Sequence, residues 1–272
     1  MKPPEIVVVG FVQHQEVHTP VAKFCYTGGA AYAAACALRT YGVSVGLVTR
    51  IGDDLTEKVL DEFPEEGISR IAGGKTARMV LCYADTRFRT HPTGSLVPGV
   101  ASQLHPGDIP EAWVKHATAF HIATMPPVMQ EDWVSTIRKY RPDALISVDT
   151  GLSFLRHASG MHTFLNLAAR CSLVFLNRYE YAMLAEYESN LPELIVKLDR
   201  DGAELHRQGR ILCKVPAPEI TPVDVTNAGD VLAGAYLAGI LQGTPAPEAL
   251  RAACITATRF TGKSAPERFD LL

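Results

Sequence analysis

The chain has 272 residues, of which 47% are apolar and 20% are charged, and its formal net charge is -3. This length and balance favour one globular core and exclude disordered, fibrous and collagen-like chains. Because the net charge is small and no run of basic residues stands out, we do not expect nucleic acid as a partner.

The predicted elements alternate between strands and helices. Residues 6–9 form a β-branched run that ends at Gly10, which is typical of a strand buried on both faces of a parallel sheet. An alanine-rich helix follows a glycine pair and ends near Tyr41. Five further strand-like segments are separated by helical signals: 45–48, 119–122, 144–148, 173–176 and 194–198. This alternation predicts an α/β fold in which helices cover both faces of a mostly parallel sheet, as one domain over residues 1–272.

A different pattern occupies residues 76–97. Segments 76–84 and 87–93 are β-prone, alternate with polar residues and are joined like a hairpin. We predict a small antiparallel β lid over a cleft, with a decorative surface hairpin as the alternative. Arg87 or Arg89 could then reach a phosphate, unless each is an ordinary solvated charge.

The segment after residue 227 carries the main functional signal. Apolar or small residues recur at helical spacing from Leu232 on, which predicts a helix over 228–241. Small residues in its first turn leave backbone N–H groups open, and with the helix dipole these form a site for an anion such as a phosphoryl group. Asp230 lies in that turn, either as an ordinary helix-start carboxylate or as a base that accepts a proton from an alcohol.

The stretch from Asp224 to Asp230, Asp-Val-Thr-Asn-Ala-Gly-Asp, resembles the D-T-x-[GA]-A-G-D signature of the PfkB/ribokinase family of carbohydrate kinases. The resemblance implies a ribokinase-like fold, ATP as phosphoryl donor and Asp230 as catalytic base. It also implies that Asn227, Ala228 and Gly229 form an anion hole. Thr226, next to them, is implied to contact the nucleotide. Asn227 departs from the usual Gly or Ala, but Asn tolerates left-handed backbone angles, so the loop can survive with a narrower phosphate pocket.

Two further motifs extend the resemblance towards the N-terminus and the middle of the chain. Gly28 and Gly29, followed by Gly52-Asp53-Asp54, are similar to the first family signature, in which a glycine pair lets the acceptor approach the backbone. An ordinary loop before a helix is the alternative. Asn177 and Glu180 match the N-x-x-E motif, which implies that they organise Mg²⁺ through water. A capping box describes the same two residues equally well.

Lys197, Asp199 and Gly202 belong to a stretch that resembles the family turn beneath the nucleotide, T-x-G-x-x-G-A, although the first two residues depart from it. Residues 257–265 resemble the last helix and loop, which in many members help shape a monovalent-cation site, so K⁺ is a further candidate cofactor. Residues 257–264 also fit a relaxed P-loop pattern. We reject the P-loop because no strand precedes it and too few residues remain for the helix that must follow.

The acceptor is left open by the sequence. In sugar-phosphorylating relatives an Asp follows the first strand's Gly by five residues, and here that position is Gln15, which can still donate and accept hydrogen bonds. A standard ribose or fructose site is therefore disfavoured, and a sugar, a cyclitol and a nucleoside are all candidates. His14 and the Gly-Gly-Ala-Ala sequence at residues 28–31 resemble inositol kinases of the family more than ribokinase itself. Asp149, at the end of a predicted strand, either contacts the substrate or caps the next turn.

We thus predict an ATP-dependent kinase acting on a small molecule. A non-catalytic sensor or scaffold of the same fold is the alternative, favoured by Gln15 and Asn227 and opposed by the presence of Asp230. The resemblance also implies homodimers paired through the lid, although the chain could cover that edge itself.

No apolar stretch approaches the roughly 20 residues that cross a bilayer, and no signal peptide opens the chain, so we expect a cytoplasmic protein without a membrane partner. The six cysteines are predicted to be reduced core residues, because they lie far apart without a C-x-x-C pair.

Overall fold

A computed structural model describes residues 3–56, 58–85, 92–263 and 269 of the chain. The strands are β1 (Ile6–Val9), β2 (Gln13–His18), β3 (Lys23–Gly28), β4 (Val45–Gly52), β5 (Ile68–Ile71), β6 (Ala77–Cys82), β7 (Thr93–Val97), β8 (Ala119–Ile122), β9 (Leu145–Asp149), β10 (Leu173–Asn177), β11 (Glu193–Lys197), β12 (Ala203–Arg207) and β13 (Arg210–Val215). The α-helices are α1 (Ala30–Thr40), α2 (Glu111–His116), α3 (Pro127–Tyr140), α4 (Leu152–Leu155), α5 (Ala158–Ala168), α6 (Arg178–Leu184), α7 (Ala228–Leu241) and α8 (Ala246–Thr261).

The larger sheet has nine strands in the order β13-β12-β11-β10-β9-β8-β1-β4-β5. Neighbouring strands from β11 to β5 are parallel, whereas β12 and β13 add an antiparallel edge that the sequence pattern did not predict. The predicted α/β fold with a mostly parallel sheet is confirmed. The carboxyl ends of β9, β10 and β11 are Asp149, Asn177 and Lys197, so three predicted site residues lie along one edge of the sheet.

The side chains of β1 point alternately to the two faces of this sheet, and each face is covered by helices. Ile6 and Val8 belong to a core cluster with side chains of α1, α7 and α8, and Val7 and Val9 belong to a second cluster with side chains of α2, α3, α5 and α6. All four side chains are fully buried. A continuous apolar run is therefore required, because neither face of β1 meets solvent.

The second sheet has four strands in the order β3-β2-β6-β7 and forms the lid. The β2/β3 and β6/β7 pairs are antiparallel, and β2 and β6 join them in parallel. The predicted insert thus supplies only β6 and β7, and β7 at Thr93–Val97 starts later than the predicted segment 87–93. Arg87 and Arg89 lie outside the described residues.

Three other expectations can be compared with the structure. Helix α8 runs to Thr261, so the start of the P-loop-like stretch is helical, in agreement with its rejection, while residues 264–265 lie outside the described part. All six cysteines are free, but Cys25 and Cys82 are exposed on the lid, contrary to the expected core positions. Across the described ranges, no helix has both the length and the apolar character that a membrane span requires.

Candidate active site

Helix α7 begins where the sequence predicts. The backbone angle of the residue before it explains why asparagine is tolerated there. Asn227 has φ 64°, in the left-handed region, and α7 begins at Ala228. The N–H of Ala228 donates to the carbonyl of Val225 (3.1 Å), and that of Asp230 donates to the carbonyl of Asn227 (3.1 Å). Among the described residues the Gly229 N–H has no acceptor. The first turn therefore has fewer open N–H groups than the sequence suggests, and the open one that could meet an anion is that of Gly229.

Asp230 lies half-buried in the same turn. Its Oδ2 accepts a hydrogen bond from Asn227 Nδ2 at 3.0 Å. Burial, followed by the negative charge of Asp149, raises the pKa of Asp230 to about 6, against the opposing effects of Lys197 and the Asn227 hydrogen bond. The carboxyl group is thus ionised at neutral pH yet more basic than an exposed aspartate, as a general base requires.

A buried ion pair lies beside this turn. Lys197 Nζ donates to Asp149 Oδ2 at 2.6 Å, and Asp149 Oδ1 accepts from the Thr150 N–H at 2.9 Å. A Cβ atom on Gly229 would lie 3.3 Å from Lys197 Nζ, so the end of the lysine side chain lies against the first turn of α7. Burial lowers the pKa of Lys197, but Asp149, Glu180 and Asp230 together outweigh it and raise that pKa overall. Lys197 therefore stays charged.

Asn177 and Glu180 form the capping box that the sequence left as an alternative. Asn177 Oδ1 accepts from the N–H groups of Tyr179 (2.9 Å) and Glu180 (3.0 Å), and Glu180 Oε2 accepts from the Asn177 N–H (2.7 Å). Burial raises the pKa of Glu180 to about 8, although Lys197 opposes the rise. In the part of the chain that is described, no group of three or more His, Cys, Asp or Glu side chains is placed to hold a metal directly. Because these oxygens already accept backbone N–H groups, any contact of Asn177 and Glu180 with Mg²⁺ would run through the waters that the ion keeps.

A cleft of about 330 Å³ opens beside the turn. The predicted residues Lys197, Asp199 and Gly202 line it together with Ala228 and Gly229. Its walls also include Arg178, Tyr179, Pro218, Ile220 and Leu232, which the sequence did not predict as site residues, and Ala257 from the stretch that resembles the family's last helix and loop. The cleft is thus apolar along one wall and polar at the turn, which suits a flat base with a phosphate chain.

The loop that closes this cleft depends on one glycine. Gly202 has φ 95°, and a Cβ atom there would lie 1.9 Å from the carbonyl oxygen of Val215. Asp199, two residues after Lys197, is paired with Arg178 (Nε to Oδ2, 3.0 Å), which also bonds Asp201 at 2.8 Å. Asp199 therefore positions an arginine at the rim of the cleft.

Three of the predicted acceptor residues, Gln15, Gly28 and Gly29, lie where the lid joins the main sheet, whereas the fourth, Asp149, pairs with Lys197. Gln15 Nε2 donates to Gln13 Oε1 at 3.4 Å, and both side chains are buried. Gln15 Oε1 lies against Gly28, and this buried oxygen has no hydrogen-bond partner within the described residues. Gly29 has φ 109°, and a Cβ atom there would be 2.4 Å from the Phe11 carbonyl oxygen, so a side chain cannot be accommodated. Gln13 was missed, although its i, i+2 spacing from Gln15 places both on one face of a strand.

The lid contacts the loop before α7 through two tyrosines that the sequence did not single out. Tyr26 Oη donates to Asp224 Oδ2 at 3.2 Å, and Tyr83 Oη lies 3.0 Å from Thr226 Oγ1. Asp224 Oδ1 also accepts from the Thr226 N–H at 2.8 Å. Thr226, predicted to lie beside the nucleotide, thus makes its side-chain contact with the lid.

Comparison with known proteins gives a family match and a curated relative. A family model described as pfkB family carbohydrate kinase matches residues 5–267. A cytidine kinase from Thermococcus kodakarensis is 28% identical over 266 residues, which cover 91% of this chain and 92% of that protein.

Solved structures resemble the chain over nearly its whole length. A nucleoside kinase from Burkholderia thailandensis, in complex with inosine, has a TM-score of 0.83 at 16% identity and covers 97% of this chain and 93% of its own. A ribokinase from Cryptococcus neoformans in complex with ADP has a TM-score of 0.81 at 17% identity, and the match covers 98% of this chain and 96% of that one. At such low identity the likeness establishes the fold alone, which is the ribokinase-like arrangement of a large and a small sheet.

Proposed function

Because the chain belongs to the pfkB family of carbohydrate kinases, we propose that it moves the γ-phosphoryl group of ATP to a hydroxyl group of a nucleoside or sugar, with Asp230 as the base. One observation carries the proposal. Asp230 shares the first turn of α7 with the open Gly229 N–H, and Lys197 faces that turn from the adjoining cleft.

The roles follow from the charges of these groups. The ionised Asp230 takes the proton of the acceptor hydroxyl as its oxygen attacks, which makes that oxygen a better nucleophile. The Gly229 N–H and the α7 dipole stabilise charge on the transferring phosphoryl oxygens. Lys197 adds a full positive charge at the same place, which offsets the repulsion that the carboxylates of Asp149 and Asp230 would exert on a phosphate chain.

Mg²⁺ would neutralise phosphate charge when bound with the nucleotide. Asn177 and Glu180 are the residues that would hold its waters, because both lie at the carboxyl end of β10 beside Lys197. The neighbouring cleft would hold the nucleotide, with the base against its apolar wall.

We place nucleosides first among the acceptor classes. The relative matching 91% of this chain is a cytidine kinase, and the similar nucleoside kinase structure holds inosine. Gln15 Oε1, buried and without a partner among the described residues, would accept a hydrogen bond from an acceptor hydroxyl or amino group. Sugars come second, because the neutral Gln15 replaces the aspartate expected in sugar-phosphorylating relatives.

The experiment is an acceptor screen with purified protein and Mg·ATP, read by ADP release and by ³¹P NMR of the product. The panel contains cytidine, adenosine, inosine, ribose, fructose and myo-inositol. With the accepted compound, Asp230→Asn should lose about a thousandfold in rate. The matched control is Asp143→Asn, because Asp143 is exposed on the turn before β9.

Two results would contradict the proposal. Normal turnover by Asp230→Asn would remove the base from the mechanism. Calorimetric binding of ATP and an acceptor without phosphoryl transfer to any compound in the panel would instead favour the sensor or scaffold.

A further inference from the structure

Asn227 is the residue of the α7 turn that departs from the family pattern, and its side chain touches the base. Its amide Nδ2 donates to Asp230 Oδ2 at 3.0 Å, while its own Oδ1 is buried without a partner among the described residues. A flipped amide would place Oδ1 against the carboxylate, and two acceptors repel each other. The donor is therefore fixed towards Asp230.

This hydrogen bond distinguishes the two oxygens of the base. Within the described residues, no other hydrogen bond reaches the Asp230 carboxylate, so Oδ2 is held and Oδ1 is left to meet a ligand. An N–H donor also favours the ionised carboxylate over the protonated one. The left-handed backbone angle of residue 227, φ 64°, does not by itself call for asparagine, because glycine adopts that angle more readily.

The charged groups around Asp230 come from the two strands that flank β10. Asp149 at the end of β9 repels a second negative charge, and Lys197 at the end of β11 attracts it. Glu180, on α6, interacts with both Asp149 and Lys197. Asn227 differs from these charged residues because it is neutral and acts on Asp230 through one hydrogen bond.

We propose that Asn227 is a positioning residue for the base: its amide holds Oδ2 of Asp230 and turns Oδ1 towards the acceptor hydroxyl. The proposal rests on the proposed function of Asp230 and adds a role that glycine or alanine could not perform at this position.

The test compares Asn227→Gly with wild type. Glycine keeps the left-handed backbone and removes only the amide. The matched control is Gln208→Gly, which makes the same kind of change at φ 52° on the exposed turn between β12 and β13. The Asp230 carboxyl signal is followed by ¹³C NMR in protein labelled at its aspartate carboxyl carbons, without acceptor, and is identified by its absence from Asp230→Asn.

The loss of a hydrogen bond to the charged form should move the Asp230 titration up by about one pH unit in Asn227→Gly. Gln208→Gly should leave it unchanged. With the acceptor found in the screen, the acid limb of kcat/KM should shift by the same amount, which corresponds to about a fivefold lower rate at pH 6. Asn227→Asp, which replaces the donor with a like charge, should move the titration further in the same direction.

An unshifted titration in Asn227→Gly would overturn the inference, even if Asp230→Asn is inactive and the proposed function stands. A shifted titration together with a fully active Asp230→Asn would overturn the proposed function and the positioning role with it. A shifted titration with an inactive Asp230→Asn supports both.

Discussion

Replacing Lys197 by methionine removes one half of the ion pair that faces the proposed phosphate site. Lys197 Nζ is 2.6 Å from Asp149 Oδ2, and the Asp149 side chain is 2% exposed. Methionine retains most of the apolar stem but not the charge, so Asp149 is left without its partner inside the fold. Breaking a buried pair in this way lowers the free energy of unfolding by about 3–5 kcal/mol.

The size of that loss should depend on pH. Burial raises the pKa of Asp149, and Lys197 opposes the rise. Without Lys197 the folded-state pKa of Asp149 moves further above its unfolded value, so the folded variant takes up a proton as the pH falls. The deficit relative to wild type should therefore be larger at pH 8 than at pH 5, as measured by urea denaturation.

Activity separates the structural part of this effect from the chemical part. Lys197→Met should lose at least about a hundredfold in kcat, because one group that stabilises phosphoryl charge is gone. The double variant Lys197→Met/Asp149→Asn should recover much of the stability but none of the rate. Lys115→Met is the control, since Lys115 is exposed on α2 and pairs only with Glu111 among the described residues. A wild-type urea midpoint for Lys197→Met at pH 8, or a wild-type rate for the double variant, would refute the reasoning.

Two remaining predictions concern the lid and the base. Tyr26→Phe and Tyr83→Phe each remove a hydroxyl that bonds the loop before α7, so each should lower the free energy of unfolding by about 1 kcal/mol in urea denaturation. Unchanged midpoints would show that these contacts contribute nothing. In the wild-type protein kcat/KM should fall as the pH drops below 6, because the pKa of Asp230 is raised to about 6 and only its ionised form accepts a proton. A profile that stays flat to pH 5 would exclude Asp230 as the titrating base.

The parallel strands and the start of α7 could be predicted because their signals are local. The run 6–9 is apolar at every position since β1 is covered on both faces, and the first turn of α7 is marked by small residues followed by helical spacing. The strands β2 and β3 gave no comparable signal. Their place in the lid depends on the parallel pairing of β2 with β6, about sixty residues later, which periodicity within one segment does not reveal.

The site shows the same limit at the scale of side chains. Asp149 and Lys197 were predicted for different ligands, the substrate and the nucleotide, yet they bond each other across the end of β10. Sequence spacing places both at the carboxyl edge of a parallel sheet but does not give their separation. The Asn227 amide was likewise visible only as a departure from a pattern, since its direction depends on the left-handed backbone at that position.

The contacts of the lid link the proposed acceptor residue Gln15 to the loop before α7. Gln15 and Tyr26 face each other in the β2/β3 pair, and Tyr26 bonds Asp224, whose other carboxylate oxygen holds the Thr226 N–H two residues before Ala228. A ligand that displaces Gln15 therefore acts on a strand tied to the start of α7. A lid movement must either break these bonds or carry the loop with it. Under the proposed function, we therefore expect acceptor binding to affect the geometry of the base.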